Sequence, residues 1–242
     1  MFYESSMLII ALLAITSGAA LQSLAGFGLA VVASPILMLI NPSLLPAPML
    51  ILGCLLSLLN CIRYRHQLSL INIQGALLAR IPGSILGVFL LLLLPPVFLA
   101  VSFSLFIILS VVLTYHHISI SNSTRNLAWA GFFSGLMATT TSVGGPPIAI
   151  TYQNSNLDTA RAELSLYFLL GTLLSLVLLL LSGNISDFQL QLTLPLTPAI
   201  FIGFAASLYL DKYFVQDYLK LVIALLSLSS CGLILLKAMN EF

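Results

Sequence analysis

The chain has 242 residues, 60% of them hydrophobic and 6% charged, with a net charge of +1 and a mean hydropathy of +1.14. A soluble domain carries about 25% charged residues, so fifteen Lys, Arg, Asp and Glu cannot cover a wet surface, and lipid must solvate the fold. No basic block suggests nucleic-acid binding, and no Lys or Arg precedes the first apolar run, so that run reads as mature membrane structure rather than a secretory signal.

A helix needs roughly 20 apolar residues to cross a bilayer. In chain order, Ser5 to Ile40 is long but broken by Gly26-Phe27-Gly28, and plain spans follow at Leu44 to Cys61, Ile71 to Leu94 and Val97 to Tyr115. Ala128 to Tyr152 is broken again by Val143-Gly144-Gly145-Pro146-Pro147, and spans at Ala162 to Leu181, Phe188 to Leu210 and Tyr218 to Lys237 complete the chain. Mid-membrane breaks are tolerated only where protein or water satisfies the freed backbone.

The breaks correspond. An offset of 117 lays Ser17-Gly18 on Ser134-Gly135 and Gly26-Phe27-Gly28 on Val143-Gly144-Gly145. At 118, Leu52 to Leu58 matches Leu170 to Leu176 in six of seven positions, and Pro82 and Gly87 recur as Pro198 and Gly203 at 116. The expected fold is therefore all-α: one membrane bundle of two repeats, 1–121 and 122–242, each a broken segment plus three spans. If both broken segments re-enter, Arg63, Arg65, Arg125, Arg161, Lys212 and Lys220 share one face against Lys237; if both cross, the split is four against three. The positive-inside rule prefers the first, which makes the halves inverted with both termini outside.

Each break precedes a short half-helix, Leu29 to Ile40 and Pro146 to Tyr152. Free N–H groups and the positive dipole end of a helix favour an anion, and glycine lets it approach the backbone. Gln22, Ser23, Gly26, Phe27 and Gly28 in one half, and Thr139, Thr140, Thr141, Ser142, Val143, Gly144, Gly145 and Pro146 in the other, surround the crossing; helix packing is the competing use for such small residues. Arg80 is the charged side chain well inside a span, read either as a substrate counter-charge or as a snorkelling residue at the headgroups. The acidic residues, Glu163 among them, fall at or near span ends, leaving no mid-membrane carboxylate as a proton relay.

His66, His116 and His117 fall in loops, and Cys54, Cys61 and Cys231 fit no metal motif, so no metal or cofactor is expected. No cluster suits an enzyme. A monovalent anion leaves an inside-negative cell downhill by about 2.3 kcal/mol per 100 mV, which leans toward export. A gated anion channel using the same half-helices is the alternative to a carrier.

Ala25-Gly26-Phe27-Gly28-Leu29-Ala30 with Pro35, and Gly144-Gly145-Pro146-Pro147 with Arg161, resemble the paired signatures of the TauE/SafE sulfite-exporter family. The resemblance implies a multi-pass transporter of the bacterial cytoplasmic membrane that carries a small anion such as sulfite, thiosulfate, an organosulfonate or a small carboxylate. It maps the family's motifs onto Gly26, Phe27, Gly28, Gly144, Gly145, Pro146 and Pro147. The expected partners are that anion and the lipid bilayer, with homo-oligomerisation left open.

Overall fold

The computed structural model describes residues 5–115 and 123–213, and every regular element among them is helical. Helix α1 (Ser5–Ala25) ends where Gly26 and Gly28 take φ of +88° and +136°, a region open to glycine but strained for other residues. The chain reverses there into α2 (Leu29–Ile40), whose bounds are those of the expected half-helix. The Leu29 carbonyl then lies 2.9 Å from where a Cβ on Gly18 would stand, so α2 folds back onto α1. Helices α3 (Ala47–Arg63), α4 (Leu70–Leu93) and α5 (Pro96–Tyr115) follow.

The second half opens with α6 (Thr124–Thr141), capped by the Ser123 hydroxyl, which accepts the Asn126 N–H at 3.3 Å. It ends at Ser142, a non-glycine residue at φ +64°. A five-residue helix, α7 (Gly145–Ala149), runs into a 3₁₀ turn at Ile150–Tyr152. Helix α8 (Leu157–Leu181) begins five residues before the expected Ala162 because the Asn156 side chain accepts the Asp158 N–H at 3.0 Å and caps it there. The expected span Phe188 to Leu210 is two helices, α9 (Asp187–Thr193) and α10 (Thr197–Leu210), joined by a 3₁₀ turn at Pro195, which has no N–H for a continuous ladder. The span expected at Tyr218 to Lys237 lies outside the described residues.

Among the described residues, five helical stretches are long and apolar enough to cross a bilayer: Ser6–Ala25, Pro42–Arg63, Leu70–Leu93, Leu157–Leu181 and Asp187–Leu210. Their outward faces carry bare apolar side chains, Ile71, Leu93 and Leu181 being 77%, 74% and 79% exposed, as a lipid-facing surface requires.

Lipid supplies no hydrophobic force between helices, so close backbone approach has to hold them. Glycines provide it along two seams. Between α4 and α6, a Cβ on Gly83 would stand 2.0 Å from the Phe132 carbonyl oxygen, and one on Gly131 2.1 Å from that of Ala76. Between α1 and α10, a Cβ on Gly203 would stand 2.4 Å from the Thr16 carbonyl. The seams use corresponding residues: Gly87 meets Leu136 and Gly203 meets Ala19, pairs related by the sequence offsets of 116 and 117. Each broken segment thus packs on a long helix of the other half.

Candidate substrate site at the two broken helices

The two breaks meet. Ser34 of α2 and Ser142 at the end of α6 share a hydrogen bond at 2.9 Å. Beside it lies a cavity of about 50 Å³ lined by Gln22 and Gly28 from the first break, Ser142, Gly144 and Gly145 from the second, and Ser57, Arg80, Phe168 and Thr172 from α3, α4 and α8. A water needs on the order of 10–15 Å³ by such a measure, so the space suits a few waters or an anion of a handful of heavy atoms.

Arg80 dominates this site. It is 1% exposed, so it does not snorkel. Its Nη1 donates to Ser134 Oγ at 3.2 Å, and that hydroxyl donates to the Gly144 carbonyl at 2.6 Å, tying the guanidinium to the second break. The guanidinium lies 5.0 Å from the centre of the Tyr167 ring, an attraction strengthened when desolvated. Two glycines make room for it: a Cβ on Gly171 would stand 2.4 Å from Nε, and one on Gly135 2.5 Å from the Arg80 carbonyl. Nε has no hydrogen-bond partner among the described residues, and neither has the Ser57 hydroxyl of the cavity wall. A buried cation held by one hydroxyl and a ring carries an unmet demand for negative charge.

The other sequence-derived candidates divide. Gln22 lines the cavity, but its Oε1 accepts the Leu29 N–H at 3.3 Å; it therefore caps α2 and leaves its NH₂ for a ligand. Ser23 accepts from Asn60 Nδ2 at 3.2 Å, outside the wall. Thr140 and Thr141 donate to carbonyls one turn back, at Leu136 and Met137, and Thr139 donates to Ser175. Val143 is in the apolar core, Pro146 is buried in the first turn of α7, Gly26 packs on Arg161 and Leu164, and Phe27 packs against Gly145. Those residues shape the crossing rather than face its cavity. Ser57, Thr172, Tyr167 and Ser134 were not singled out from sequence, although the first two lie in the duplicated Leu52–Leu58 and Leu170–Leu176 segments and mark them as wall.

The two glycine motifs are not equivalent. A Cβ on Gly28 would combine the positive φ with a 2.6 Å approach to Leu21, whereas one on Gly145 would meet Phe27 at 3.3 Å with no backbone strain. Gly28→Ala is expected to lose ligand-induced thermal stabilisation in detergent, and Gly145→Ala to retain most of it. The positive φ alone costs about 1–3 kcal/mol. Equal behaviour of the two variants would remove the backbone conformation at Gly28 as the reason for its glycine.

At one end of the bundle, four helices are tied by charge. Asp211, just after α10, accepts from Arg63 of α3 at 2.7 Å and from Arg161 of α8 at 2.8 Å. Arg161 also pairs with Asp158 at 3.3 Å and donates from Nε to the Leu24 carbonyl of α1 at 2.6 Å. Arg161 is 3% exposed, so Arg80 is not the sole buried cation. Glu163 lies near a span end as expected, in the second turn of α8, but it is 2% exposed and accepts from the Asn72 amide of α4.

A lipid-facing helical bundle whose broken helices converge on a small cationic cavity belongs to the class of multi-pass membrane transporters. The chain matches the sulfite exporter TauE/SafE family over residues 10–234 and belongs to it. Searches of curated proteins and of solved structures returned no match.

Proposed function

We propose that this protein moves a small sulfur-containing or carboxylate anion out across the bacterial cytoplasmic membrane by alternating access. The observation that carries the reading is Arg80: a guanidinium 1% exposed, its Nε unpartnered among the described residues, at a cavity where two broken helices meet. An anion of sulfite or sulfonate size supplies the missing charge, and its oxygens match a planar guanidinium fork. The Ser57 and Ser142 hydroxyls, the Gln22 NH₂ and the backbone at Gly28, Gly144 and Gly145 complete the proposed shell. Export agrees with the family's description and with the pull of an inside-negative potential on a bare anion.

The proposed architecture is two inverted repeats, 1–121 and 122–242, each with a re-entrant hairpin. The shared Asp211 supports it, since segments that crossed would put Arg63 on the face opposite Arg161 and Lys212. The corresponding glycine seams support it as well. The face carrying Arg63, Arg161 and Lys212 is then cytoplasmic, and the Arg63–Asp211–Arg161 cluster closes the cavity toward it. Asp211→Asn is expected to speed transport gating toward that face, read as faster cytoplasmic-side labelling of a cysteine placed at Ser57. Unchanged labelling would mean the ion pairs hold no gate.

The direct test is thermal-shift screening with sulfite, thiosulfate, methanesulfonate and lactate, followed by flux in proteoliposomes. A ligand of the folded state raises apparent stability by mass action. Saturable flux with counterflow marks a carrier, ohmic current marks a channel, and no stabilisation by any anion sinks the site.

A further inference from the structure

One face of α3 runs on past the anion cavity. Leu50, Gly53 and Ser57 line the cavity, and the steps of three and four residues that keep them on one face continue to Asn60 and to Tyr64 at the C-cap. Ser57 and Asn60 are 0% and 1% exposed. The Ser57 Oγ, Asn60 Oδ1 and Tyr64 hydroxyl are all buried, and none has a hydrogen-bond partner among the described residues. Buried polar groups are normally paired, so three left unpaired within about 10 Å of one helix mark a surface suited to water or a polar ligand. The row begins in the cavity and ends in the charged cluster. There the Arg63 guanidinium stands 4.9 Å from the centre of the Tyr64 ring, and the Tyr64 hydroxyl lies in the field of Arg161, Asp211 and Asp158. Midway, Asn60 Nδ2 donates to Ser23 of α1 at 3.2 Å, beside the Leu24 carbonyl that Arg161 holds.

The opposite direction is dry. Helix α8 runs antiparallel to α3, since Arg161 near its start and Arg63 at the end of α3 share Asp211. At the offset of 118 its Ser175 stands for Ser57, but that hydroxyl accepts from Thr139 and donates to the Gly171 carbonyl, and Leu178 stands for Asn60. Leu179 packs there with Ala47, Leu50 and Val88 in an apolar cluster, with Leu176 and Leu178 against it. The unpartnered Ser84 hydroxyl lies instead in the α4–α6 seam, against Gly135.

Resting on the transport reading above, we propose that the anion reaches the Arg80 cavity from the Arg63 end along this face of α3, with Ser57, Asn60 and Tyr64 replacing its water in transit. Hydroxyls and an amide suit a passing anion, because a neutral donor stabilises its charge without holding it as a guanidinium does. The Ser23 hydroxyl either donates or accepts, so a half-turn of the Asn60 amide keeps that bond and exchanges C=O for NH₂ in the row. Parting of the Arg63–Asp211–Arg161 ties wets the row, while the apolar cluster keeps the other end shut.

Thiol labelling reads the route whichever anion the cavity prefers. Single cysteines are placed in the chain with Cys54, Cys61 and Cys231 changed to alanine, and the probe is 2-sulfonatoethyl methanethiosulfonate, itself a small sulfonate. Asn60→Cys and Tyr64→Cys are expected to react about tenfold faster than Leu179→Cys, since a buried thiol is labelled through the opening that wets it. Added Asp211→Asn should speed the first two and leave the third unchanged. With the native cysteines present, Asn60→Leu keeps the size of the side chain and removes its polarity. Its methanesulfonate affinity by thermal shift should stay close to that of wild type, while flux in proteoliposomes falls about tenfold through a raised barrier. Asn60→Ser, which keeps a hydroxyl in the row, should recover most of that flux. Equal labelling of the three cysteines, or wild-type flux in Asn60→Leu, would overturn the route and leave the Arg80 site standing. Affinity and flux lost together in Asn60→Leu, and not regained in Asn60→Ser, would also overturn it and make Asn60 a tie between α3 and α1. Should Asn60→Leu not fold, Tyr64→Phe, which removes one hydroxyl, must slow the flux or the route falls. If neither methanesulfonate nor any other anion of the screen stabilises the wild type, the anion site itself falls, and the route to it.

Discussion

Arg80→Gln is expected to weaken anion binding by about 2–5 kcal/mol, the range for removing one partner of a desolvated charge pair, or from about thirtyfold to several thousandfold in affinity. The ligand-free protein should be no less stable, because the substitution removes a buried cation that, among the described residues, Ser134 and the Tyr167 ring accompany, and buried charges are often neutral or costly to the fold. Arg80→Lys should recover part of the affinity, since an ammonium keeps the charge but loses the planar fork. Thermal shift with and without methanesulfonate separates the two quantities in one experiment. A variant that loses stability and keeps its ligand shift would make Arg80 a structural residue instead.

The second large effect lies away from the cavity. Gly131→Ala and Gly83→Ala each put a methyl group about 2 Å from a carbonyl oxygen of the facing helix. The obstacle is backbone, so no rotamer relieves it and α4 must part from α6. The cost should exceed the about 1–3 kcal/mol typical of overpacked cores. Little monodisperse protein should be recovered on size exclusion in detergent, whereas Gly53→Ala, whose Cβ would meet Leu29 only at 4.0 Å, should behave as wild type. Normal yields of Gly131→Ala would mean that the seam opens at little cost.

Composition and glycine placement made much of this bundle readable in advance. The α2 bounds and the positions of both breaks followed from where glycine and proline interrupt apolar runs, whereas the sequence left Arg80 open between a charge at depth and a snorkelling side chain. The site's polar shell was less readable, because a hydroxyl's identity does not reveal its partner. Thr140 and Thr141 look like donors to a ligand, yet each bonds a carbonyl one turn back, the habit of such residues in helices. Ser134 and Tyr167 drew no notice as site residues, yet they hold Arg80 from 54 and 87 residues away in sequence. Glu163 falls near a span end as its position suggests, but its burial against Asn72 of α4 depends on a partner 91 residues away in sequence.

The contacts of Arg80 also bear on how the chain is made. Ser134, Gly135, Tyr167 and Gly171, which hold and make room for it, are all synthesised later than α4. During biogenesis α4 is therefore made before its guanidinium's hydrogen-bond partner Ser134, 54 residues on, and its ring partner Tyr167, 87 residues on. A charge at helix centre is resisted during insertion by roughly 2.5–3.5 kcal/mol, and the apolar run Ile81 to Leu94 on its C-terminal side opposes that cost. The fold is thus charge-complete only once α8 has joined α4, so Arg80 ties the insertion of the first part of the chain to the arrival of the second.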